Sequence, residues 1–235
     1  MNTKFLSALT ATAAATALFG ATAPAQAASF GTGGISFAKD QIVNFNLAET
    51  HGAFKSILSI HEVNNSIPSL PITILYEEIK FSDNGPADEF KGTVGNAVKG
   101  PAKVAFTFLA NKIYTLGLAS VGIDGTTSQV YSTSSLNGGT QEAVFGGVSL
   151  LTALNKETTD TFQAAGQFTN GLGDLFKGGT VISFDDRGNV NDKDFQDFTL
   201  TASAPVPEPM TMTGLALGLG GLVAARRRRG SKSAS

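Results

Sequence analysis

Gln41-Ile42-Val43-Asn44-Phe45-Asn46-Leu47 sets Val43, Phe45 and Leu47 at period two, with Ile42 apart from them. Alternation of this kind marks a strand with one face toward a core and the other toward water. The reading extends outward along the chain. Ser56-Ile57-Leu58-Ser59-Ile60-His61-Glu62-Val63 is a second short run. After a break at Pro71, Ile72-Thr73-Ile74-Leu75-Tyr76-Glu77-Glu78-Ile79-Lys80-Phe81 is a third. Lys103–Leu109 and Lys112–Ala119 flank Ala110-Asn111 and read as a hairpin, and Thr180–Phe184 and Asp197–Thr201 flank an Asp-rich loop. Many short runs separated by Gly, Pro, Asn and Asp predict an all-β fold, a single β-sandwich or jelly-roll-like domain over 28–203. Within 141–173 the apolar positions fit either one helix or a strand and a loop. Gly146-Gly147 weakens the helix, and Lys156–Gly173 reads as a long surface connection.

Composition narrows the function classes. The chain has 235 residues with no Cys and no Trp, which excludes a disulfide scaffold and a thiolate metal site. Between Ala28 and Pro205 it carries 18 acidic against 11 basic residues, a net charge of about −7. Such a domain repels nucleic acid, whose phosphates need a basic face, and suits divalent cations. Of 17 Phe, the core is expected to take Phe45, Phe54, Phe81, Phe106, Phe108, Phe184 and Phe198. The lack of Trp weighs against a stacking row for sugars.

The two ends read as processing segments. Lys4 precedes an apolar run from Phe5 to Phe19, and Ala25-Gln26-Ala27 is a small-x-small cleavage site. Residues 1–27 are therefore expected to be a signal peptide, with the mature chain starting at Ala28. At the other end a Pro-rich linker, 204–209, contains Val206-Pro207-Glu208-Pro209. Met210–Ala225 follows as 16 uncharged residues, then Arg226, Arg227, Arg228 and Arg229 open a basic tail, 226–235. As a helix the uncharged run spans about 24 Å at about 1.5 Å per residue, and end residues that snorkel extend its reach across the membrane. The Arg cluster holds the C-terminus on the cytoplasmic side, which agrees with a signal peptide sending the domain outward.

These four features in strict order resemble the PEP-CTERM sorting signal of Gram-negative bacteria, over about the last 30 residues. The resemblance implies that the tail is an address read by exosortase, a membrane protease-transpeptidase, at Pro207, Glu208 and Pro209. It implies a precursor anchored in the inner membrane by 210–225 with its domain in the periplasm, then a product at the cell surface or outside the cell. It further implies an association with exopolysaccharide and biofilm, and with no active-site pattern in the chain the expectation is a non-catalytic surface or extracellular-matrix protein tied to exopolysaccharide or cell-surface structure.

Phe184-Asp185-Asp186-Arg187-Gly188-Asn189-Val190-Asn191-Asp192-Lys193-Asp194-Phe195-Gln196-Asp197-Phe198 is the densest cluster of hard oxygen ligands. Asp185, Asp186, Asp192, Asp194 and Asp197 are the candidate ligands for Ca²⁺, which takes about six to eight oxygens. The segment lacks the Gly and Glu positions of an EF-hand loop. Its opening, turn and close resemble an Asp-rich motif that precedes sorting tails in exported proteins, with Gln196 standing where Asn or Asp is usual. That resemblance implies a hairpin between two late strands with calcium in it. Asp and Asn also build turns through their own side chains, and both readings stand at this point.

No other segment has the pattern of an active site. There is no Gly-x-Ser-x-Gly elbow and no phosphate-binding Gly-x-x-x-x-Gly-Lys-Ser/Thr. His51 and His61 are expected to be ordinary surface or edge residues. Glu77-Glu78 and Asp88-Glu89 point to opposite faces of a strand and read as solvated charge. Two further readings remain: a calcium-dependent, lectin-like carbohydrate-binding module, and a secreted hydrolase with no residue singled out.

Overall fold

A computed structural model describes residues 28–51, 54–81, 91–146, 173–186 and 195–205. The alternating runs at Gln41 and Phe54 become its two longest strands, β3 (Gln41–His51) and β4 (Phe54–Asn64), of 11 residues each. Before them stand β1 (Ala28–Gly31) and β2 (Gly34–Phe37). After them come β5 (Ile67–Pro68), β6 (Thr73–Glu78), β7 (Lys91–Gly92), β8 (Val98–Lys99) and β9 (Lys103–Phe108). The series continues with β10 (Tyr114–Gly122), β11 (Thr127–Tyr131), β12 (Ala143–Gly146), β13 (Thr180–Phe184) and β14 (Phe198–Ser203).

The fold is all-β, and its named strands pair antiparallel in two sheets. The first sheet runs β1-β2-β10-β4-β6-β8, with β11 beside β10 and β5 beside β4. The second runs β12-β13-β14-β3-β7, with β9 also on β3. One hydrophobic cluster takes residues from both, including Leu58, Ile60, Leu116 and Leu118 from the first and Val43, Phe45, Ile182 and Leu200 from the second. Period two holds where it was read: Val43 and Phe45 are fully buried while Ile42 is half exposed.

The expected hairpin around Ala110-Asn111 does not form. Lys103–Phe108 pairs with β3 in the second sheet, and Tyr114–Gly122 pairs with β4 in the first. Both runs carry large inner-face side chains, and these meet across the core, with the rings of Phe108 and Tyr114 5.1 Å apart edge to face. Adjacent strands of one sheet would place the two rings side by side. The link between the sheets turns at Asn111, whose φ is 60° and whose N–H donates to Phe37 O at 2.9 Å. The 141–173 stretch begins as strand β12, and residues 147–172 lie outside the described set. Among the expected core Phe, Phe45, Phe108, Phe184 and Phe198 are fully buried and Phe106 packs against them. Phe54 and Phe81 are only half-buried: Phe54 is the first residue of β4, opposite Gly122 at the end of its ladder, and Phe81 lies past the end of β6 under Lys55 Nζ.

Two bulges decide which side chains face inward. In the β14–β3 ladder Thr199 pairs with Glu49 and Leu200 with Leu47, so the register steps over Ala48. In the β4–β6 ladder Leu58 pairs with Tyr76 and Ser59 with Ile74, so it steps over Leu75. An extra residue shifts the alternation by one. Tyr76 and Glu78 therefore turn inward, although Ile74 points out. Thr50 also turns inward, leaving Glu49 and His51 on the face they share with Lys91. The Leu47 N–H donates to the Tyr76 hydroxyl at 3.1 Å, and that hydroxyl donates to Phe45 O at 2.9 Å, tying β6 to β3 across the core. Tyr76→Phe removes these bonds and the hydroxyl's contact with Ala102 O at 3.2 Å, and leaves the partly buried Leu47 N–H unsatisfied. It is expected to lower unfolding stability by about 1–3 kcal/mol, seen as a lower denaturant midpoint with an unchanged slope.

Candidate metal centre

Phe184, the last residue of β13, is the register partner of Phe198, the first of β14. Strand pairing therefore brings Asp185 and Asp186, leaving one strand, beside Asp197, entering the next. The Asp186 N–H donates to Asp197 Oδ2 at 2.7 Å, and the Asp185 N–H donates to Glu142 O at 3.1 Å. Ser128 donates to Asp186 O, and the His51 N–H donates to Asp197 O at 3.1 Å. Phe195, buried at φ 54°, has its carbonyl held by the Ser183 hydroxyl. These bonds fix the base of the hairpin that the Asp-rich motif predicts.

One carboxylate oxygen from each of Asp185, Asp186 and Asp197 lies within 4.8 Å of the other two, and Asp185 and Asp186 are buried. Oxygens on opposite sides of one Ca²⁺, each at about 2.3–2.6 Å, stand about 5 Å apart, so spacing and donor chemistry both fit a single hard cation. Asp192 and Asp194 lie outside the described residues. So do Ala25, Ala27, Pro207, Glu208, Pro209, Arg226, Arg227, Arg228 and Arg229. Among the described residues no helix is long and apolar enough to cross a membrane, and 210–225 is not among them.

Glu78 was expected to be solvated and is not. Its inward turn places Oε1 against the Thr50 hydroxyl and Oε2 2.7 Å from the Ser56 N–H, which donates to it. Burial pushes its carboxyl up to about 7, the charge of Asp186 adds to the rise, and the Thr50 and Ser56 hydrogen bonds oppose it. Gly92 completes the enclosure: a Cβ there would sit 3.2 Å from Glu78 Oε1 and collide with the Thr50 hydroxyl. Glu77, its neighbour, does face outward, toward Lys99 at 3.9 Å. Asp88 and Glu89 lie outside the described residues.

The histidines are buried, not exposed, and stand in different sheets. On the far face of β3, His51 Nε2 lies 3.4 Å from Glu49 Oε1 and Lys91 Nζ 3.4 Å from Glu49 Oε2. The His51 contact chiefly, with the two neighbouring charges, holds the Glu49 carboxyl below its usual range. His61 lies beneath the chain that follows β5, with Nδ1 2.8 Å from Ser69 O. Neither burial shows in the sequence: His51 stands on the outer face beside Glu49 and Lys91, and His61 under a covering turn. A scan of protein-family models, a search of curated proteins and a search of solved structures each returned no match to this chain.

The two shifted carboxyls act on stability in opposite directions. The raised Glu78 carboxyl contributes fully below 4.5 and loses that contribution as pH rises through about 7. The depressed Glu49 carboxyl contributes above 4.5 and loses it as pH falls through its lowered value. In chelator, the Glu78 contribution to wild-type stability should fall by up to about 3 kcal/mol between about pH 5 and about pH 8. Glu78→Gln, which mimics the neutral acid, should flatten that fall in pH-dependent denaturant titrations.

Proposed function

We propose that this is an exported surface or extracellular-matrix protein, sorted by exosortase and associated with exopolysaccharide or cell-surface structure. In this reading a signal peptide and a single C-terminal transmembrane helix flank one β-sandwich of jelly-roll kind. The observation that carries the reading is the order of the tail relative to the fold. β14 ends at Ser203, and Pro207-Glu208-Pro209, the uncharged run and the four Arg follow with no further domain between. The precursor is held in the inner membrane, and the product is released to the surface or beyond it. Replacing Pro207, Glu208 and Pro209 together by Ala, in a host that has exosortase, should leave the uncut precursor in inner-membrane fractions. Unchanged processing would overturn the sorting assignment.

Within this reading Asp185, Asp186 and Asp197 hold one Ca²⁺ at the end of the sandwich, with Asp192 and Asp194 as further ligands from the loop. The convergence of three carboxylates, two of them buried, supports the assignment, because a cation offsets their mutual repulsion. Calcium at about 100 times its dissociation constant should stabilise the fold by about 2.7 kcal/mol. Asp185→Asn/Asp197→Asn should abolish the calcium-dependent rise in melting temperature. A rise that persists in that variant places the ion elsewhere, and no rise at all leaves the motif as a turn.

A further inference from the structure

The outer face of the first sheet carries a second arrangement, made of other residues than the acidic end. Ser59 and His61 are two residues apart on β4, so both side chains leave the same face. His61 Nδ1 lies 2.8 Å from Ser69 O, an acceptor only, so Nδ1 carries the proton of the neutral ring. His61 Nε2 is then an acceptor, and Ser59 Oγ stands 2.8 Å from it. This is the order of nucleophile, base and orienting group used in acyl transfer, with a backbone carbonyl in the third place.

The surroundings are built for the pair. β4 and β5 are joined by Asn65-Ser66, with φ of 52° and 62°, and the chain beyond β5 brings Ser69 O over the imidazole. Across β10, Gly117 leaves room for the ring: a Cβ there would lie 2.5 Å from His61 Nε2. The Gln129 side-chain nitrogen would lie 3.2 Å from that same added Cβ. This nitrogen donates one hydrogen to Val130 O and carries a second, suited to a developing oxyanion. Ser59 and His61 form the floor of a groove of about 540 Å³ whose walls are Ile57, Leu70, Pro71, Ile74 and Tyr131.

We propose that Ser59 and His61 are a nucleophile–base pair that hydrolyses carboxylic esters with an apolar acyl group. The Ser59 oxygen adds to the ester carbonyl carbon while its proton passes to His61 Nε2. The tetrahedral adduct breaks its bond to the alcohol oxygen, and the departing alcohol takes that proton. Water, deprotonated by the same nitrogen, then cleaves the acyl-serine and restores both side chains. Ester and water become acid and alcohol with no other reactant. The apolar walls select the acyl group by contact area, and Tyr131 packs T-shaped against the His61 ring with centroids 5.6 Å apart. The proposal goes beyond the sorted surface protein and uses neither its tail nor its carboxylates.

The test uses the purified full-length protein, an alkyl fluorophosphonate and p-nitrophenyl butyrate. The expected result is a covalent adduct mapped by mass spectrometry to Ser59 in the folded wild type. Ser59→Ala and His61→Gln should each lose the adduct and lower ester turnover by at least about 100-fold. Their thermal melting shows whether each variant is folded, and the wild-type adduct needs no variant. No adduct on Ser59 in folded protein, or turnover that survives Ser59→Ala, overturns the proposal.

Discussion

The Tyr76 hydroxyl bonds the two sheets together where both of their ladders are interrupted. A bulge over Leu75 swings Tyr76 inward to receive the Leu47 N–H, and a bulge over Ala48 shifts the alternation of β3 just beyond that point. The same hydroxyl reaches Phe45 O and Ala102 O, so one side chain serves three backbone groups. The same two shifts carry Thr50 and Glu78 to the inner side, where their side chains bond to each other. The location of polar groups inside this all-β fold is thus a consequence of register.

The acidic end follows from that geometry. Strand pairing delivers Asp185, Asp186 and Asp197, and the bulge in β6 delivers Glu78 from the opposite sheet within reach of the field of Asp186. Carboxyls gathered from two sheets at one end raise each other's cost of ionisation. Glu78 relieves part of that cost by holding its proton toward neutral pH. The proposed cation would relieve more, and by lowering the Glu78 carboxyl it would couple ion binding to proton release.

The all-β class and the long strands were legible because Val43, Phe45, Leu58 and Ile60 keep strict alternation. The β13–β14 hairpin was legible because its Asp-rich turn has a recognisable order. Alternation says which face a residue takes but not which strand it pairs with, so β9 and β10 read as neighbours when they lie in opposite sheets. Asp124-Gly125, at the turn between β10 and β11, is a usable hairpin signal in the sequence; Gly125 has φ of 83°. Bulges leave no mark in a single sequence, so the burial of Glu78 and the outward turn of His51 were out of reach. In the sequence His61 reads as an ordinary surface or edge residue and nothing marks Ser59. Their relation depends on Ser69 O, which arrives only when the turn at Asn65-Ser66 folds back.

The position of β14 has a mechanical side. It is an interior strand, hydrogen-bonded to β13 along one edge and to β3 along the other, and Ala204 just beyond it still donates to Leu175 O at 2.8 Å. Tension applied through the C-terminal end of the chain would enter the fold along the axis of this strand. The ladder bonds lie across that axis, so both ladders would be loaded in shear together and would not open one bond at a time. A molecule pulled from this end meets two ladders in shear at the first strand the force reaches.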